Sequence, residues 1–577
     1  MALYLGLDSS TQSLTALLIE VDVVERGSSQ SSPPPAVVFE HSISFDTDLP
    51  HYGTRNGTLP SEDPSVAVSP PLMWAEALDR MFAVMVSSGL NVAELAAISG
   101  SAQQHGSVYL SASAAGVLAG LAPSEPLVTQ LRAVPMGDDD MPGVDDMPGD
   151  DVTPGGDDPP GDEDRPADEA RPAESLLSRA VSPIWMDSST SEECREITAA
   201  LGGADRLAQL TGSRAFERFT GPQIRKFYKQ DPRGWAATHR VHMVSSFMAS
   251  LLAGAHAPLD PGDASGMNLM DLRSRDWSPA ALDATAPDLA AKLPAIVPSS
   301  SIVGELAPYW RQRFGLPAAR VVAWSGDNPC SLVGTGLIRE GQIAVSLGTS
   351  DTLFGLMREP RVDRTGTGHV FGAPTGDYMG LTCFLNGGLA RQRIRDEHGL
   401  DWDGFSEALR ATPTGNDGGL MFPWFEPEIT PDVRTPGVRR VDLDAGDATR
   451  NVRAVVEAQM MALANHSRWM GVDIDVIHAT GGAAVNTDIL QVMADVFDAE
   501  VRRFEVSNSA CLGAALRAYH ADATADGREL PWEEVVGGIA EPVPGSAIVP
   551  RRANVEIYGR LRRRYAKLEH LAIDKRT

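Results

Sequence analysis

"YLGLDSSTQSLTALLIE", Tyr4 to Glu20, is an apolar run, a tight cluster of small polar residues, and a second apolar run. That pattern predicts two β-strands joined by a short turn. The turn, Asp8 to Ser13, holds an aspartate, hydroxyl residues and an amide in place of the Asn-Gly or Asp-Gly that merely reverses a chain. Small hydroxyl residues offer backbone N–H groups and side-chain donors at close range, which are the parts that surround phosphate oxygens. Alone, the turn is weak evidence, because Ser/Thr-rich hairpins are common.

A second copy favours phosphate binding. "GQIAVSLGTSDTLFGLM", Gly341 to Met357, is again apolar run, small polar turn and apolar run, about 340 residues further on. Two such units in one chain predict an internally duplicated, two-lobed protein. Between them, "PPLMWAEALDRMFAVMV" sets Met73, Ala77, Met81 and Met85 at helical spacing, and "LAAISGSAQQHGSVYL" reads as strand, polar loop, strand. This alternation predicts an α/β architecture.

The composition narrows the function classes. At 577 residues with 43% hydrophobic content, the chain is long enough for two or more domains with large cores. A net charge of −28 argues against nucleic acid as a partner. Nearly half of that charge comes from Asp138 to Glu174, where fifteen acids face two arginines. From about 112 to 180 the pattern fails, and a Pro/Gly/Asp-rich insertion is predicted to be disordered. The four cysteines, Cys194, Cys330, Cys383 and Cys511, form no CxxC pair, which argues against a zinc site and suits a reducing, cytoplasmic setting. No signal peptide is read at the N-terminus. Val241 to Leu259 reads as a buried helix rather than a membrane span, so no membrane partner is expected.

Further stretches carry candidate chemistry. "VVAWSGDNPCSLVG" puts Asp327 at the end of an apolar run, where a carboxylate is placed to take a proton from a hydroxyl, or to open a helix at Pro329 as an Asx-turn. Gln103, Gln104 and His105 of "SAQQHG" suit a polyol, and "SRAFERFTG" adds Arg214 and Arg218. "ATGGAAVNTDIL" offers a strand end, the pair Gly481–Gly482 and a helix capped at Asn486 or Thr487; this is a nucleotide approach or a plain turn. "NSACLGAALRA" has small residues at helical spacing, fit for a close helix contact. There is no Gly-Lys-Ser/Thr triplet and no GxGxxG, so a nucleotide here uses neither of those loops.

In order, "YLGLDSSTQS", "SAQQHGS", "WMDSST", "LTGSRAFERFTG", "GDASGMNL", "SGDNPCSL", "AVSLGTSDTLF" and "ATGGAAVN" closely resemble the motifs of the FGGY carbohydrate kinases. Within that family the wording is nearest the animal members that phosphorylate D-xylulose. The resemblance implies an α/β fold of two actin-like, ribonuclease H-like domains, divided as 1–338 and 339–577, with a catalytic cleft between them. It implies ATP and Mg2+, with D-xylulose and ATP as the small-molecule partners, and leaves open monomer or homodimer. Asp327 matches the general base, and Gln104, His105, Arg218, Asp327 and Asn328 match sugar-binding positions. Asp8 matches the magnesium position. Ser9, Ser10 and Thr11 of the first turn and Gly348, Thr349 and Ser350 of the second match positions at the ATP phosphates. Gly481, Gly482 and Asn486 match nucleotide-binding positions, and Trp402 of "DWDGF" matches an aromatic near the adenine. The alternatives are another polyol (ribulose, glycerol, fuculose or gluconate) and, in a different class, an actin-like ATPase that is no kinase.

Overall fold

The computed structural model describes residues 1–22, 33–132, 176–505 and 508–574. Both quoted apolar-turn-apolar stretches are antiparallel strand pairs. The first is β1 (Ala2–Ser9) against β2 (Ser13–Val21), closing at the Ser9–Leu14 pair. With β3 (Ala36–Ser44), β4 (Leu95–Ala102), β5 (Ile302–Glu305), β6 (Arg320–Val322) and β7 (Ser325–Gly326) they form a seven-stranded sheet ordered β5-β6-β4-β1-β2-β3, with β7 also on β4. The second pair, β8 (Gln342–Leu347) and β9 (Asp351–Met357), closes at Leu347–Asp351. It joins β10 (His369–Gly372), β11 (Tyr378–Phe384), β12 (Val476–Thr480) and β13 (Glu500–Arg503) in a six-stranded sheet ordered β10-β11-β9-β8-β12-β13. In each sheet the first strand of the pair has an antiparallel hairpin partner on one side and a parallel strand on the other, β4 beside β1 and β12 beside β8. The duplication read from sequence is therefore a duplication of topology.

The helices obey their apolar spacing. Pro71–Ser87 buries Met73, Trp74, Ala77, Leu78, Met81, Phe82 and Met85. Val244–Ala253 is a buried helix, shorter than the run that predicted it because Arg240–Met243 is a strand. Among the described residues no helix is long and apolar enough to cross a membrane. The helix Ser509–Ala525 comes late in the chain yet packs on the first sheet. A Cβ on Gly6 would stand 2.2 Å from the Cys511 carbonyl oxygen, and one on Gly513 would stand 1.9 Å from that of Cys330. Backbones this close tolerate no side chain between them, which is the physical content of the small-residue pattern.

One expectation is corrected. The stretch from 112 is not patternless throughout: Ala114–Ala119 and Leu127–Leu131 are helices that bury Ala114, Leu118, Leu127, Val128 and Leu131. At six and five residues they are too short to declare a helical period. Residues 133–175, with the acidic run, lie outside the described residues. All four cysteines are free thiols.

Candidate active site

Three parallel strand ends in the first sheet deliver the first group of residues. Asp8 of β1 pairs with Ser101 of β4, and Ser101 pairs with Ser325 of β7. Asp8, the Gln103–His105 turn and Asp327 thus emerge at one carboxyl edge, where parallel sheets place their chemistry. Asp327 begins the helix Asp327–Gly334. Its Oδ1 accepts from the backbone N–H of Asn328 at 2.8 Å and from Asn328 Nδ2 at 3.0 Å. Asn328 Nδ2 also donates to Gln104 Oε1 at 2.8 Å, and Gln104 Nε2 donates to the Gly262 carbonyl at 3.3 Å. Burial, followed by the charge of Asp8, pushes the Asp327 carboxyl up to about 7. Burial also raises Asp8, whose Oδ1 has no hydrogen-bond partner; nor has the hydroxyl of fully buried Ser9.

His105 and Arg218 stand beside this edge. His105 takes a left-handed backbone, φ 72°, and its Nδ1 meets the Gly266 carbonyl at 2.7 Å. Thr220 Oγ1 donates to the His105 carbonyl at 3.0 Å, and the His105 ring stacks on Phe219 with centroids 4.4 Å apart. The Arg218 guanidinium lies over the faces of Phe216 and Phe219, at 4.9 and 5.6 Å. Ser10 and Thr11 are engaged within the protein: the Ser10 hydroxyl closes the turn onto Ser13, and Thr11 Oγ1 accepts from Trp185 Nε1 at 2.7 Å.

The second sheet repeats the construction. β8 and β12 run parallel, so the Gly348–Ser350 turn and the Gly481–Asn486 turn leave adjacent strand ends. A cavity of about 1010 Å³ is lined there by Gly348, Thr349, Trp402, Gly482 and Asn486, among others. Trp402 is 47% exposed, with the Arg395 guanidinium 4.5 Å above its ring. Asn486 caps the helix Thr487–Phe497, its side chain accepting from Asp488 and Ile489, and donates from Nδ2 to Ser406 Oγ at 2.8 Å. Gly482 faces open space, whereas Gly481 has φ 85° and a Cβ there would stand 2.7 Å from the Leu347 carbonyl oxygen. Gly481 shapes the turn without lining the cavity, and Ser350 likewise does not line it. The expected residues therefore gather into two groups, one on each sheet.

Residues 173–334 match the N-terminal domain model of the FGGY family of carbohydrate kinases, and residues 343–521 match its C-terminal domain model. The chain belongs to the FGGY family of carbohydrate kinases. It is 40% identical to a Mus musculus protein named xylulose kinase, over 98% of this chain and 93% of the mouse protein. It is 37% identical to xylulose kinase 2 of Arabidopsis thaliana, over 90% and 87% of the two chains. Among solved structures, the fold matches xylulose kinase from Rhodospirillum rubrum, TM-score 0.73 at 18% identity over 99% of this chain and 98% of that one. It also matches gluconate kinase from Lactobacillus acidophilus, TM-score 0.75 at 15% identity over the full length of both. Membership of a kinase family implies ATP as the phosphoryl donor.

This FGGY chain also places residues at the site that sequence reasoning passed over. His369 of β10 meets Arg218, and Asp263, inside the quoted "GDASGMNL", is a fully buried carboxyl whose Oδ1 has no partner. Burial, with Asp260 and Asp327 adding to it and Ser245 opposing, pushes Asp263 up to about 8. The signal for His369 was a histidine inside the apolar run "HVF", ordinarily read as core.

Proposed function

We propose that this chain transfers the γ-phosphoryl group of ATP to D-xylulose, giving ADP and D-xylulose 5-phosphate. The observation that carries the reaction type is Asp327: a part-buried carboxyl held through Oδ1 by Asn328 and raised to about 7, where it readily accepts a hydroxyl proton at neutral pH. The choice of sugar rests on the relatives named xylulose kinase. Gln104, His105, Arg218 and Asn328 hold the sugar. Asp327 Oδ2 takes the proton from the terminal hydroxyl as that oxygen attacks the γ-phosphorus in line. The two small-residue turns supply donors to the phosphates from Ser9, Thr11, Gly348 and Thr349, with Ser10 and Ser350 closing the turns, while Trp402, Gly482 and Asn486 seat the nucleoside and Gly481 shapes the turn that carries them.

The unpartnered Oδ1 of Asp8, beside the cleft edge, fits a Mg2+ ion held mainly by phosphates and water. When bound, Mg2+ supplies neutralisation of phosphate charge. The reading divides the chain as 1–338 and 339–577, with Ser509–Ala525 returning to the first sheet, and places it in the cytoplasm in keeping with its free thiols.

Coupled ADP release with magnesium-ATP tests this, using wild type and Asp327→Ala against D-xylulose, D-ribulose, L-xylulose, D-fructose, glycerol and no sugar. Turnover that is strongest on D-xylulose and lost in the variant is expected. Preference for another polyol overturns the substrate, and equal turnover without sugar overturns the kinase reading.

A further inference from the structure

His369 lies 151 residues from Arg218 in sequence, on the far edge strand of the second sheet. Two backbone features carry it to the sugar side. The N–H of Val370 donates to the Gly212 carbonyl at 3.1 Å, and Gly212, at φ 91°, has no room for a Cβ, which would stand 2.6 Å from the Val370 carbonyl oxygen. The segment carrying Ser213 and Arg218 is thereby docked along β10. Here Arg218 Nη2 approaches His369 Nε2 at 3.1 Å, and Ser213 Oγ approaches His369 Nδ1 at 3.1 Å.

The chemistry of these atoms fixes the direction of both bonds. A guanidinium has donors only, so Nε2 of His369 must be the acceptor. In a neutral imidazole the proton then sits on Nδ1 and is donated to the Ser213 hydroxyl. The ring is kept neutral by burial and by the positive charge of Arg218, both of which lower its pKa. Around it, Phe216 meets the imidazole edge-on at 4.8 Å and Phe371 stacks at 6.0 Å, so the ring has little freedom to turn.

We infer that His369 is a positioning residue for sugar binding: as the Nδ1–H tautomer, oriented by Ser213, it accepts from Arg218 and sets that guanidinium toward the substrate. The inference rests on the reading of Arg218 as a sugar ligand. The arrangement builds the sugar site from both halves of the chain, with His105 and Arg218 before β8 and His369 after it. An Arg218 without this acceptor would be free to swing about its long stem, and the sugar would have to restrain it on binding.

The test compares wild type, His369→Ala and His369→Gln for sugar KM, ATP KM, kcat and melting temperature. Losing a hydrogen bond to a charged group predicts a sugar KM raised about tenfold to a hundredfold in His369→Ala, with ATP KM nearly unchanged. His369→Gln, whose side-chain oxygen still offers Arg218 an acceptor, recovers most of the loss. Equal rises in sugar and ATP KM, or no recovery in His369→Gln, overturn the inference. If wild type prefers another polyol, the proposed substrate fails and the same comparison is made with that polyol. Independently of catalysis, nitrogen-15 NMR of histidine-labelled wild type, assigned by the signal lost in His369→Gln, should show the Nδ1–H tautomer; the Nε2–H tautomer or a protonated ring overturns it.

Discussion

Asp8 stands close enough to Asp327 for its negative charge to raise the Asp327 carboxyl, an effect second only to burial. Their strands flank β4: Asp8 pairs with Ser101, and Ser101 pairs with Ser325, two residues before Asp327, so Asp8 and Ser325 stand two strand spacings apart, about 9.6 Å. This coupling fixes the sign of a pH effect. The proposed base must be ionised to act, so kcat/KM for the sugar falls as pH drops through the Asp327 pKa, near 7. Asp8→Asn removes the charge that favours the proton, so Asp327 ionises at lower pH. The acid limb of the pH–rate profile should therefore move to lower pH in Asp8→Asn, even while the maximum rate drops. A limb that stays in place, or moves up, would separate Asp327 from the rate-determining ionisation.

The same carboxyl makes a stability prediction. Its pKa is about 7 in the folded chain, against an ordinary value near 4, so folding favours the protonated form. Below pH 4 the group is protonated in both states and costs nothing. Between pH 4 and 7 the unfolded chain ionises it while the folded chain holds the proton, so stability falls as pH rises, and above 7 the cost is complete. Asp327→Asn keeps the shape and the acceptor for the Asn328 N–H but cannot ionise. Calorimetry at pH 8 should find it more stable than wild type by on the order of 1–4 kcal/mol, with the difference shrinking toward pH 4. A pH-independent difference would defeat the idea that burial of the ionised Asp327 is costly. Loss of activity combined with a gain in stability is the pattern of a residue held for chemistry.

The two hairpins were legible because a polar cluster between apolar runs marks a turn whatever surrounds it, and Asn486 was legible because an N-cap is a local decision. The position of Asp327 at a strand end was legible from the apolar run that precedes it. What stayed hidden depends on distant partners. Nothing near His369 announces that Arg218 will donate to it, because the contact is created by the docking of β10 on Gly212. The small residues of Ser509–Ala525 declared a close contact but not its partner, the first sheet and the helix Asp327–Gly334. Gly481 was read as room for a ligand, whereas its φ and its nearness to Leu347 give it a backbone reason of its own.

The second turn is pinned from behind by an ion pair that only the structure reveals. Asp351, directly after Gly348–Ser350, is held by both Arg391 Nη groups at 2.8 and 2.9 Å, with side chains only 2% and 1% exposed. Arg391 Nη1 also donates to Gln459 Oε1 at 2.8 Å, and Gln459 Nε2 donates to the carbonyls of Asn386 and Gly387. The next N–H, that of Gly388, donates to the Gly348 carbonyl at 2.9 Å. The turn and the start of the helix Gly388–Glu397 therefore share one buried frame. Arg391→Met strands a buried carboxylate and should cost about 3–5 kcal/mol. It should also raise ATP KM, because the turn loses its fixed geometry. Asp351→Leu/Arg391→Met removes both charges, so its melting temperature should recover much of the loss while ATP KM stays high. Melting curves and ADP-release kinetics on the three variants check this. A double variant with wild-type ATP KM would mean that the pair serves folding alone, and one no more stable than Arg391→Met would mean that the unpaired charge is not the source of the loss.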